Sequence, residues 1–98
     1  MSPVIGILSV TLHLPRSTTL KSKRQVVSGL LRRIRTRFGV AAAEVGERNL
    51  WQIAHLAVAC VSADGRHADQ VLARTLAYIE AEAGDAIVGD AATELIRL

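Results

Sequence analysis

Leu20 to Phe38, LKSKRQVVSGLLRRIRTRF, decides how the rest of this 98-residue chain can fold. Leu20, Val27, Leu31, Ile34 and Phe38 recur at helical steps, with Val26 and Leu30 beside them. One apolar stripe therefore runs along one side of an α-helix. Either Thr19 or Ser22 caps its start, and Ser22 with Gln25 three residues on has the form of a capping box. Gly39 supplies the left-handed stop after Phe38. An amphipathic helix of this length needs a surface to cover, and the flanking segments supply a sheet.

Upstream, VIGILSVTLHL from Val4 to Leu14 alternates as a strand does. Val4, Leu8, Val10, Leu12 and Leu14 share the better core face; Ile5, Ile7, Ser9, Thr11 and His13 share the other. Downstream, Val40 to Val45 is a short strand of small residues and Gly46 to Asn49 a charged turn. Ile53 to Val61 is almost continuously apolar, as a central strand is, with Ala54, Leu56, Val58 and Cys60 on one face. A second helix runs from about Arg66 to Glu82, capped by Ser62 or Asp64, with the stripe Ala68, Val71, Leu72, Leu76 and Ile79. Its flanking acids Asp69 and Glu80 are placed to face the arginines of the first helix. Ile87 to Leu95 is a ragged last strand, and Gly89 and Asp90 inside it suit an edge or a bulge.

The order β-α-β-β-α-β lets both helices cover one face of a four-stranded antiparallel sheet. The split βαβ arrangement, with the first and third strands central, is the simplest right-handed solution. The predicted fold class is α+β and ferredoxin-like, one domain over residues 1–98. That architecture hosts many activities and selects none.

Half of the residues are hydrophobic, yet only Phe38, Trp51 and Tyr78 are aromatic, so the core is aliphatic. The single cysteine, Cys60, excludes an internal disulfide and points to a reducing compartment. The apolar N-terminal run breaks at Ser9, Thr11 and His13 and lacks a basic flank, so it reads as neither a signal peptide nor a membrane span. A cytoplasmic location is the expectation.

The net charge of +3 conceals an asymmetry, because all nine acids lie from Glu44 onward. Arg32, Arg33, Arg35 and Arg37 sit toward the C-terminal end of the first helix, where its dipole favours cations by about 0.3–1 kcal/mol each. Their stems also cover the edges of the core. Lys21, Lys23 and Arg24 sit at the opposite end, against the dipole, with Arg16 just upstream and no acid nearby in sequence. That placement calls for an anion as partner, although a merely solvated basic end is the plain alternative.

HLPRSTTLKSKRQVV, RFGVAAAEVGERNLWQIAHLAVACVS and the second helix with its short final strand resemble the YlxP family over nearly the whole chain. These are small bacterial proteins of unknown function. The resemblance implies a ferredoxin-like fold. Genes of the family commonly sit among those for translation initiation and ribosome maturation, which implies ribosomal work. It brings no catalytic residue. Lys21, Lys23, Arg24, Trp51 and Gln52 match motif positions, while Ser22 stands where an acid is common.

His13, His55 and His67 lack metal spacing, so no metal or cofactor is expected. Cys60 reads as strand packing rather than a nucleophile. Trp51 either closes the edge of the core, the commoner role for a lone aromatic, or offers a face for stacking. Three functions follow. The first is a module binding phosphates of structured RNA or a ribosomal particle through Arg16, Lys21, Lys23, Arg24, Arg32 and Arg35. Base reading on the sheet face is excluded, since the two central strands carry no aromatic. The second is a protein-interaction or homodimerisation module using the open sheet face, where Ile5, Ile7, Ile53, Ala57, Ala59 and Val61 form an apolar patch. The third, ranked lowest, is an acylphosphatase-like enzyme with Arg16 and Asn49 at its centre, because LPRSTTLK lacks the glycine-bearing phosphate loop.

Overall fold

The computed structural model describes residues 2–98. In chain order the elements are β1 (Val4–His13), α1 (Leu20–Phe38), β2 (Ala41–Val45), β3 (Ile53–Ser62), α2 (Gly65–Glu82) and β4 (Ile87–Arg97). The sheet runs β2-β3-β1-β4, with every pairing antiparallel, so β1 and β3 are central and β2 and β4 are edges. This is the ferredoxin-like arrangement.

Burial follows the alternation of β1. Val4, Leu8, Val10, Leu12 and Leu14 are buried, as are their counterparts Ala54, Leu56 and Val58 on β3 and Ala42 on β2. Val27, Leu30, Leu31 and Ile34 of α1 and Leu72 and Ile79 of α2 close over that face. Gly6 permits close helix–sheet packing, since a methyl group there would lie 2.8 Å from Leu72 Cδ1. On the other face Ile5, Ile7, Ile53, Ala57 and Ala59 are half-buried and Val61 is exposed.

The first helix starts at Thr19, whose hydroxyl accepts the Ser22 backbone N–H at 3.0 Å. Ser22 instead turns its own hydroxyl onto the Thr19 carbonyl. Gly39 ends the helix at φ 63°, the left-handed conformation expected of it. Asp64 caps α2 by accepting from the Arg66 N–H. The sheet register shifts between Val10 and Leu12 where β4 passes Gly89 and Asp90, which is the expected irregularity.

Two expectations for α2 change. Leu76 is half-buried, while Thr75 is wholly enclosed. The buried stripe is rotated by one residue because Thr75 hides its polarity by donating to the Val71 carbonyl at 2.8 Å. Among the described residues, Asp69 and Glu80 form no ion pair with the arginines of α1. Arg33 reaches the Glu82 carbonyl instead, and Arg37 lies 5.2 Å from the centre of the Tyr78 ring, which meets Phe38 edge-on.

Candidate functional site

Lys23 is the residue from which the site is built, and it does not do what its charge led us to expect. Its side chain is wholly enclosed. It lies four residues before Val27, on the same helical stripe, and therefore points under α1 rather than into solvent. Its ammonium has three protons and three acceptors. Glu44 Oε2 and the Arg48 carbonyl each lie 2.7 Å away, and the Ile53 carbonyl lies at 3.4 Å. Glu44 reaches it because β2 alternates: Ala42 and Glu44 turn toward the helices while Ala41, Ala43 and Val45 turn away. The expected phosphate-binding role of Lys23 is thus corrected. A charge this deep must be paired, and Glu44 is the counter-charge.

The consequence is a fixed loop. Arg48 lies inside the β2–β3 connection and Ile53 directly follows it, so Lys23 holds its middle and its far end. Gln52 holds it from the other side. The Gln52 carbonyl accepts the Leu14 N–H at 2.8 Å, and its side-chain amide donates to the carbonyls of Pro15 and Ser17 at 3.2 and 3.3 Å. Asn49 is tied back by its N–H to the Glu47 carboxylate. The loop displays Leu50 and Trp51, which are 42% and 56% exposed. With more than half of its surface in solvent, Trp51 does not close the core edge.

The other cations divide according to their reach. Lys21, Arg24, Ser28, Arg32 and Arg35 form one row on the outside of α1, spaced three or four residues apart. The row is about 21 Å long at 1.5 Å per residue. Lys21, Arg24 and Ser28 line one shallow depression together with Gln25. Arg24, Ser28 and Arg35 line a neighbouring groove of about 430 Å³, joined there by Arg48 and the edge of Glu44. Arg24 reaches Asn49 Oδ1 at 3.4 Å, so the row abuts the fixed loop. Arg35 spends Nε and Nη2 on the Ala42 carbonyl at 2.9 and 2.6 Å and lies partly committed to β2. Arg16 stands apart, beside Asp85, in a different cleft. Asn49 lines the depression at Trp51, so Arg16 and Asn49 do not share a pocket.

Arg48 is the functional candidate that the sequence did not single out. Its carbonyl is held by Lys23, which leaves its exposed side chain to the groove. The available signal was its place in the AEVGERNLWQ segment, one basic side chain between an acid and an exposed aromatic. Among the described residues no cluster of three metal-ligating side chains occurs. Burial pushes the Cys60 thiol above its ordinary value, against a smaller lowering effect of a hydrogen bond with the Gly6 backbone. Among the described residues no helix is long and apolar enough to cross a membrane.

Residues 5–91 match the family described as "Protein of unknown function (DUF503)". The chain belongs to that family. A relative from Bacillus subtilis (strain 168), "Uncharacterized protein YlxP", is 34% identical over 62 residues, which is 63% of this chain and 67% of the relative. The YlxP resemblance carried by the LKSKR and LWQ segments therefore stands, and the function of that relative is likewise open. Among solved structures, "De novo designed protein Foldit4" superposes with a TM-score of 0.52 over 98% of this chain and 96% of its own, at 11% identity. At that identity the likeness concerns the fold alone. For this DUF503 member, Lys23 and Gln52 have a common explanation: both hold the β2–β3 loop.

Proposed function

We propose that this protein is a non-catalytic cytoplasmic module that binds the phosphate backbone of structured RNA on the ribosome. The carrying observation is Trp51, an aromatic side chain held out in solvent on a loop that hydrogen bonds fix from both sides. Exposing an indole while anchoring its backbone so firmly favours a stacking contact with a base or ribose. The basic row of α1 lies beside it, led by Lys21 and Arg24 and joined by Arg48. Arg32 and Arg35 extend the row, and Arg16 adds charge from the neighbouring cleft. Phosphates contacted along this row would be bound by shape and charge, with little reading of sequence.

The test is association with ribosomal RNA, followed by fluorescence anisotropy across a salt series. Neutralising about four phosphates gives a slope of log affinity against log salt of roughly −3 to −4. Reversing Lys21 and Arg24 to Glu should weaken binding strongly and leave the far-ultraviolet circular dichroism unchanged. Reversing Arg33 and Arg37 makes the same change in net charge and should do far less. Equal losses would mean diffuse attraction, and no association at low salt would overturn the proposal. Trp51→Ala should weaken binding without changing the slope.

A second reading is favoured by the row Val61, Ile5 and Ile96 across the open sheet face, where Val61 is 74% exposed. On that face Glu94 is the one charged partner of β1, so two copies could meet there with little repulsion. A homodimer through this face would appear by light scattering at high micromolar concentration, and a monomer would refute it.

A further inference from the structure

The cleft that holds Arg16 lies on the far side of Gln25 from the basic row, between the start of α1 and the junction of α2 with β4. Its volume is about 450 Å³, in the range of small-molecule sites. Part of its lining is apolar, with Leu14, Val26 and Ala86. Its charged lining carries both signs: Arg16 and Arg33 on one account, Glu82 and Asp85 on the other.

Two helix ends of opposite polarity meet there. α1 contributes Ser22 and Gln25 from its opening turns, the positive end of its dipole, where no acid occurs; the Ser22 N–H is itself taken by the Thr19 hydroxyl, so the cleft meets the dipole rather than a free amide. α2 contributes Glu82 and then Ala83 from its negative end, which has no basic residue of its own but is met at the Glu82 carbonyl by Arg33 of α1 at 3.5 Å. Ser17 supplies an independent observation. It is only 7% exposed and lines the cleft. Its backbone N–H donates to the Leu14 carbonyl and its own carbonyl accepts from Gln52, but among the described residues its hydroxyl bonds to nothing. Among the described residues no fully enclosed side-chain oxygen or nitrogen lacks a partner. The Ser17 hydroxyl therefore keeps contact with the space of the cleft and has no protein partner to give up when a ligand arrives.

We propose that this cleft binds a small zwitterion, a free aliphatic amino acid or a dipeptide. The carboxylate lies toward Arg16, the Ser17 hydroxyl and the start of α1. The ammonium lies toward the Asp85 and Glu82 carboxylates, and the side chain covers Leu14 and Val26. Inorganic phosphate suits the cleft poorly, because Glu82, Asp85 and the α2 dipole repel it. A simple cation meets Arg16 and Arg33. Only a ligand with both charges satisfies both sides. In the free protein Arg16 Nε and Asp85 Oδ2 are 3.8 Å apart, with side chains 82% and 74% exposed. So loose a pair opens readily to a ligand. This site goes beyond the RNA reading and shares only Arg16 with its basic residues.

The experiment is an amide chemical-shift titration of the full chain with L-leucine and, separately, leucyl-leucine, into the millimolar range. Isocaproate and isoamylamine, each with one of the two charges, are the controls. Saturating shifts are expected at Ser17, Ser22 and Asp85, with the controls about tenfold weaker or more. The zwitterion that saturates first identifies the source. Asp85→Asn should lose leucine binding while RNA association is kept, and Ser17→Ala should weaken it about tenfold. Isocaproate binding as tightly as leucine, or no saturating shift with either zwitterion, would overturn the proposal. That comparison uses the unaltered chain, so it decides the case even if a variant folds poorly.

Discussion

Removing the carboxylate of Glu44 should be among the most damaging single changes in this protein, although Glu44 lies on an edge strand. The reason is what it leaves behind. Lys23 is fully enclosed, and among the described residues Glu44 Oε2 at 2.7 Å is its only counter-charge. Breaking a buried pair from one side costs about 3–5 kcal/mol. The Glu44 side chain is 12% exposed, so water can partly replace it and the lower end, about 3 kcal/mol, applies. Lys23→Met keeps the apolar stem but leaves the carbonyls of Arg48 and Ile53 without a donor. It also leaves the Glu44 carboxylate, only 12% exposed, without its counter-charge, and since that group reaches water at its edge the loss again falls at the lower end, about 3 kcal/mol. Lys23→Met with Glu44→Leu removes both charges, and should lose clearly less than the sum of the single changes. Urea unfolding followed by circular dichroism measures this. With an m-value of about 1.5 kcal/mol/M, Glu44→Ala lowers the midpoint by about 2 M. A loss below about 1 kcal/mol for Glu44→Ala, or strict additivity in the double variant, would refute the reasoning.

Two further expectations concern single side chains. Gly29→Ala should stabilise by about 0.5–1 kcal/mol, because a methyl group there meets only Arg33 Nη1 at an ordinary 3.5 Å and the helix gains propensity; a lower melting temperature would contradict it. Cys60 should be alkylated by iodoacetamide more slowly than a free cysteine, on the order of threefold or more at pH 8, since burial raises its pKa and lowers the thiolate fraction. Its rate should climb with pH, and a rate at pH 8 equal to that of a free thiol would be inconsistent with the burial described.

The elements were legible because their periods are short and strict. Ile5 and Val4 fall on opposite faces for the same reason that any neighbours in a strand do, and the strand order follows from two helices sharing one face. The site was less legible. Lys23 sits four residues before Val27, so the stripe itself gave its direction, but a positive charge is ordinarily assigned to solvent. Its partner Glu44 is 21 residues away, and only the alternation Ala42, Glu44 on the folded β2 turns that acid inward. Thr75 was passed over in favour of Leu76 on hydrophobicity, because the bond that hides its hydroxyl belongs to the helix and not to the residue type. Trp51 was open to two readings, and its exposure on the folded loop, which sequence spacing does not reveal, removes the core-edge one.

The ammonium of Lys23 gathers acceptors that lie 21, 25 and 30 residues away along the chain. Closing one such loop costs conformational entropy that grows only with the logarithm of its length, and once one is closed the others are nearly closed already. The start of α1 and the β2–β3 hairpin are therefore joined through a single atom into one cooperative unit. Neither opens locally without stranding a charge, so the loop that carries Trp51 borrows the protection of the helix to which it is pinned. A connection that its length and exposure would mark as the first to fray should instead open only with the body of the fold.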